Sequence, residues 1–170
     1  MRCLFLVFHR KLRCISYEIK PYEGCAINHT NERNPNMGRT ELREHIFKML
    51  FCREFNASKE MPEQLLLYFE QLEQIKDSDR LYIEEKYNAV AEKIEELDQL
   101  INEQVTGWKT SRMNKVDLTV LRLAVYEIKW DEDVPLGVAI NEAVQLAKKF
   151  GGKESPAFVN GVLAKFANQE

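Results

Sequence analysis

Lys148 and Lys149, then Lys153, lead into a proline at position 156, and Phe158 and Asn160 follow at once. Lysines ahead of a helix start are chemistry for an anion. A helix N-terminus offers unpaired backbone N–H groups and the positive end of a dipole, and a phosphate satisfies both. A ring near the third position of such a helix can stack on a base while lysines meet the backbone phosphates. The same ring fits the edge of a hydrophobic core equally well. Val159, Leu163 and Phe166 form a buried stripe at helical spacing, and Phe158 lies about 100° around the axis from Val159. Spacing leaves both roles open. Ser155 is expected to be the N-cap and Pro156 the first helical residue. Gly161, mid-helix, costs about 1 kcal/mol against alanine. That predicts a close helix–helix approach there, with Asn160 bonded to a neighbouring helix or to a ligand.

Two further stretches carry candidate contacts. In GRTELREHIFKMLF, Arg39 and Arg43 are four apart and share a helix face, with Lys48 beyond them. This is either a phosphate-contacting stripe or a solvated face balanced by Glu41 and Glu44. In DLTVLRLAVYEIKW, Thr119, Arg122, Tyr126 and Lys129 fall opposite the leucines. An exposed Tyr and Arg together suit an interface; the alternative is a Tyr packed at its edge and an Arg in a surface ion pair.

Catalytic constellations are missing from the sequence. The three histidines, His9, His29 and His45, sit in no HExxH motif, and there is no GxSxG, P-loop or GxGxxG. No Ser, Cys or His has a partner that would activate a nucleophile. Cys3, Cys14 and Cys25 are evenly spaced rather than in the close pairs that put two thiolates on one zinc ion. Free thiols in a reducing compartment fit better. The expectation is a non-enzyme without metal or cofactor.

The elements that must position these residues are helical. Seven Gly and five Pro among 170 residues leave few turns. Apolar residues recur at spacings of three and four over 40–55 (Leu42, Ile46, Met49 or Leu50), 61–72 (Leu65, Leu66, Phe69, Leu72) and 79–105 (Ile83, Tyr87, Val90 or Ala91, Ile94, Leu97, Ile101). They do so again over 116–130 (Leu118, Leu121, Val125, Ile128) and 135–150 (Ile140, Val144, Ala147), where Gly151-Gly152 is expected to stop the helix in a left-handed turn. With the last helix this predicts an all-α domain of six or seven helices. Residues 1–36 differ: six Lys and Arg face three Glu there, although the whole chain is at −3. They show no periodicity and end in INHTNERNPNM. They read as a basic irregular extension, disordered or a non-native upstream start, ahead of a domain at 37–170. The apolar run Leu4 to Phe8 is too short for a signal peptide, and no stretch approaches a membrane span, so a cytoplasmic protein is expected. With a net charge of −3, nucleic-acid binding would have to come from a local basic patch.

Three blocks, VDLTVLRLAVYEI, DVPLGVAINEAVQLAKKFG and FVNGVLAKF, closely resemble the C-terminal half of the NusB family, the bacterial transcription antitermination factors; TELREHIFKMLF is similar to that family's first helix. The resemblance spans about Gly38 to Ala167. It implies two small helical bundles packed across each other. It also implies a function: binding single-stranded boxA RNA together with NusE, a small-subunit ribosomal protein, in the RNA polymerase antitermination complex that transcribes ribosomal RNA operons. It implies RNA contacts from Arg39, Arg43, Arg122, Lys153, Phe158 and Asn160, and a NusE face at Asp117, Tyr126 and Glu127. Family first helices carry a denser arginine cluster, and a glutamine and tyrosine where this chain has Lys48 and Phe51, which implies fewer phosphates neutralised and a shallower salt dependence. The alternative function is a module that mainly holds NusE while the partner supplies the RNA contacts. A NusB-like domain also occurs in RNA methyltransferases, for which 170 residues leave no room. Homodimerisation is possible, since a face meant for a partner can pair with itself.

Overall fold

Leu42, Ile46, Met49 and Leu50 recur at three and four because a helix must lay one stripe on its neighbours, and the computed structural model has that helix, α1, at Arg39–Arg53. The structure describes residues 37–72, 75–105 and 109–167. The expectations for 1–36, for Cys3, Cys14 and Cys25, and for a helix break at Gly107 lie outside the described residues. Within them α2 spans Met61–Glu70, α3 Asp77–Glu92, α4 Ile94–Gln104, α5 Lys115–Trp130, α6 Leu136–Phe150 and α7 Ser155–Ala167. Short 3-10 turns at Ser58–Glu60 and Thr110–Arg112 lead into α2 and towards α5. The described fold is all-helical, and no helix in it is long and apolar enough to cross a membrane.

The centre is α5. Asn114 caps it, its Oδ1 accepting the Val116 N–H at 3.0 Å. Every residue from Asp117 to Val125 is buried. The polar face expected at Thr119 and Arg122 is therefore inside: α5 packs against α1, α4, α6 and α7 and has little side left for water. Thr119 Oγ1 donates to the Lys115 carbonyl at 2.7 Å, which satisfies a hydroxyl that water cannot reach.

Three other expectations are corrected by the neighbours each helix meets. The single helix expected over 79–105 is two, because Ile83, Tyr87 and Val90 serve a contact with α1 while Leu97 and Ile101 serve α5 and α7. The chain turns at Lys93 (φ −101°, ψ 8°), whose N–H bonds the Val90 carbonyl at 3.1 Å. In α2, Met61, Gln64 and Phe69 face inward while Leu66 stays 49% exposed. In α6 the buried stripe is Ala139, Ala143, Leu146 and Ala147 rather than Ile140 and Val144, which are only partly covered. Small side chains let α6 lie close to α5 and α7.

Gly151 does stop α6, but not in a left-handed turn: its φ is −94° and ψ −177°. What it supplies is room. A Cβ there would lie 2.5 Å from the Ser155 Cβ and 2.7 Å from the Ala147 carbonyl.

Candidate nucleic-acid interface

The sharp turn at Gly151 sets α7 directly after α6. Ser155 is the first residue of α7 and not its N-cap; its Oγ turns back to accept the Gly152 N–H at 2.9 Å, and the Phe158 N–H reaches the Glu154 carbonyl at 3.0 Å. Lys148, Lys149 and Lys153 are exposed around this turn, and Asn160 is exposed one turn into α7. Phe158 is half-buried, packed against the core that Val159, Val162, Leu163 and Phe166 fill. The ring touches the core and keeps an open side. Gly161 differs from expectation. It is exposed, and a Cβ there would meet nothing within 4 Å, so no close helical approach accounts for it.

Along α6 runs α1. Phe47 stacks on Phe150 with centroids 4.8 Å apart, Arg43 approaches Glu142 at 3.9 Å, and Lys149 Nζ bonds both Glu44 oxygens at 2.6 and 2.7 Å. Thr40, Glu44, Glu142, Gln145, Leu146, Lys148 and Lys149 line a groove of about 370 Å³ between the two helices. Lys48 borders the same region. Burial pulls its pKa below the ordinary lysine value and Lys149 adds to the effect, with Glu44 and Glu41 opposing. His45, on α1 too, is buried and shares a 2.6 Å hydrogen bond with the Tyr68 hydroxyl of α2. Burial, then Lys48, holds its pKa below the usual imidazole value.

Of the six residues expected at RNA, Arg39, Lys153 and Asn160 are exposed, and Phe158 is half-open. Arg43 and Arg122 are not on a free surface. Arg43 Nε donates to Glu127 at 2.8 Å, and Glu127 is 2% exposed. Burial pushes the Glu127 carboxyl above its ordinary pKa, and Arg43 and Lys86 offset this only in part. Arg122 forks across Asp98 of α4 at 2.7 and 2.8 Å, and its remaining arm donates to Glu54 just beyond α1. Burial opposes the Arg122 charge, but the bonds to Asp98 and the field of Glu54 outweigh it and raise its pKa; burial likewise works against the Glu54 carboxylate, yet Lys115 and Arg122 hold its pKa below the ordinary value. A four-apart spacing put Arg39 and Arg43 on one face; the tertiary fold then buried the second of them under α5 and α6.

The three residues expected at NusE do not share a face. Glu127 is the buried partner of Arg43, and Tyr126 is half-buried beside Trp130 with centroids 5.7 Å apart. Asp117 is buried in the first turn of α5, and its Oδ1 has no hydrogen-bond partner among the described residues. Lys48, Lys148 and Lys149, which the spacing offered as phosphate contacts but the family resemblance did not name, lie around the groove between α1 and α6 and the turn into α7. A lysine pair closing one helix just before the basic start of the next was the visible signal.

Residues 40–168 match the model of the NusB family. The chain is 57% identical over 131 residues to the transcription antitermination protein NusB of Agathobacter rectalis, covering 77% of this chain and all of that one. It is 49% identical over 129 residues to the NusB of Lachnoclostridium phytofermentans, covering 76% of this chain and 98% of the relative. Among solved structures it resembles T. maritima NusB, with a TM-score of 0.72 at 30% identity, covering 80% of this chain and 94% of the other. It shares its fold with a structure of the antitermination factors NusB and NusE in complex with dsRNA, at a TM-score of 0.64 and 22% identity, covering 78% and 97%.

Proposed function

The chain belongs to the NusB family, and we propose that it binds boxA-type single-stranded RNA together with NusE as a cytoplasmic, non-catalytic component of the RNA polymerase antitermination complex on ribosomal RNA operons. The observation that carries this reading is the corner between α6 and α7, which gathers exposed Lys148, Lys149, Lys153 and Asn160 beside the half-open ring of Phe158. Phosphates would meet the lysines and the first N–H groups of α7 while a base stacks on the ring. Arg39 at the start of α1 supplies a further cation. Arg43 and Arg122 serve the RNA indirectly, by fixing α1 and α4 against α5. For NusE we assign two separate contacts, one around Asp117 at the start of α5 and one at the half-buried Tyr126; Glu127 acts from inside by holding Arg43.

A second reading, in which the chain mainly holds NusE and the partner carries most RNA contacts, draws on the same burial: Arg43 of α1 and Arg122 of α5 are both taken by carboxylates and unavailable to phosphates. Fluorescence anisotropy with boxA RNA and a scrambled control, with and without NusE, separates the two. Selective binding by the chain alone, with a falling log affinity against log salt, supports direct contact. Binding that requires NusE and has no salt slope of this chain's own supports the second reading. If neither RNA binds even with NusE, both fail.

A further inference from the structure

The groove between α1 and α6 holds an ion pair that joins residues far apart in sequence, Glu44 and Lys149, at its mouth. Lys149 is 57% exposed and Glu44 18%, so the pair is wet on the lysine side and weakly held. Lys149 Nζ sits between both oxygens of the carboxylate, at 2.6 and 2.7 Å. The two non-bridging oxygens of a phosphodiester present the same geometry and carry a full negative charge. The other groove-lining polar groups include donors: the Thr40 hydroxyl, the Gln145 amide and the Lys148 ammonium. Glu142, the second carboxylate, faces Arg43 at 3.9 Å. Glu44 thus occupies the position an anion would take.

We propose that this groove is a phosphate subsite for single-stranded RNA in which Glu44 is a resident counter-ion, displaced from Lys149 when a backbone phosphate arrives. The proposal rests on the RNA-binding reading above and adds to it a site and a residue that sets its strength. Glu44 has somewhere to go. Lys48 lies four residues on along α1, the favourable order for a Glu–Lys pair on a helix, and Glu44 already supports its charge. Lys48 is also crowded by Lys149, so a phosphate that engages Lys149 and frees Glu44 for Lys48 relieves both lysines at once. Gly151, Gly152 and the exposed Lys153 lead on along the chain from Lys149 to the start of α7, the order in which a strand of RNA would pass from the groove to Phe158.

The test is an anisotropy titration of the full chain with a fluorescein-labelled boxA RNA across a salt series. Glu44→Gln should bind about three- to tenfold more tightly at low salt, with a log–log salt slope close to the parent's, because the same phosphate meets Lys149 in both. Lys149→Ala should weaken binding, and the double variant should match Lys149→Ala. Glu41→Gln removes the same charge from an exposed site outside the groove and should gain much less. Thermal melts should leave both single variants near the parent, because the lysine side of the pair is open to water. Unchanged binding by Glu44→Gln, or an equal gain in the Lys149→Ala background, overturns the subsite while leaving RNA binding intact. Absence of any binding by the parent chain, with NusE present, overturns the RNA reading and the subsite with it.

Discussion

At the contact of α1 with α5, Arg43 meets Glu127 with the two side chains 6% and 3% exposed; at the groove between α1 and α6, Lys149 meets Glu44 at 57% and 18%. Both are cation–carboxylate pairs at hydrogen-bond distance, made across the same helix α1. Burial separates their uses. A buried pair has lost its water, so removing one partner strands the other in a medium that cannot solvate it. An exposed pair keeps its water and exchanges partners at little cost. The first kind holds helices in register, and the second remains available to a ligand.

The largest expected effect breaks the buried side. Arg43→Ala should cost about 3–5 kcal/mol in urea denaturation, and Arg122→Ala less, because it leaves Asp98 unpaired while Lys115 still holds Glu54. Acid then tells the two apart. Glu127 titrates higher in the folded protein than its ordinary value, so the folded state holds that proton more readily; its contribution favours folding at low pH and is lost as pH rises through its folded pKa. Without Arg43 that pKa climbs further, and the deficit of Arg43→Ala should shrink as the solution is acidified from neutral pH. Glu54 runs the other way. Its pKa is held down, so it contributes stability above the ordinary carboxylate value and loses it as pH falls through the depressed one. Arg122→Ala should therefore flatten the acid limb of the stability profile. Equal pH profiles for the two variants would show that burial does not distinguish these pairs.

On the open side, Phe158→Ala should weaken boxA binding by about 1–3 kcal/mol, the range for one stacked base. The ring also touches the core, so the melting temperature must be read alongside. Full affinity with parental stability removes the stacking role, and loss of stability that accounts for the whole effect returns Phe158 to the core.

The smallest effect concerns a residue that touches nothing. Gly161→Ala should stabilise the domain by about 0.5–1 kcal/mol, because the backbone is helical and a Cβ has open space. A decrease in stability would mean that the position is constrained in a way no contact in the fold explains.

Much of the fold was legible because local pattern and burial agree where a helix has one buried side. The stripe of Leu42, Ile46 and Met49 and that of Val159, Leu163 and Phe166 both lie where spacing put them. The pattern misled where a helix is covered on several sides or where polar residues have buried partners. On α5, Arg122 and Thr119 fell opposite the leucines, yet other helices cover that side as well. On α2, Gln64 went in and Leu66 stayed out.

The sequence by itself determined an all-helical domain from residue 37 on, its family, and the basic start of the last helix, because each depends on residues near one another along the chain. Only the tertiary structure decided which cations are free. Arg39 and Arg43 have the same spacing and charge, but Glu127 and Glu142, far along the chain, enclose one of them. Lys149 meets its carboxylate across the fold and still faces water. Spacing sets which side of a helix a residue occupies, and the dielectric around it is set by whatever packs there.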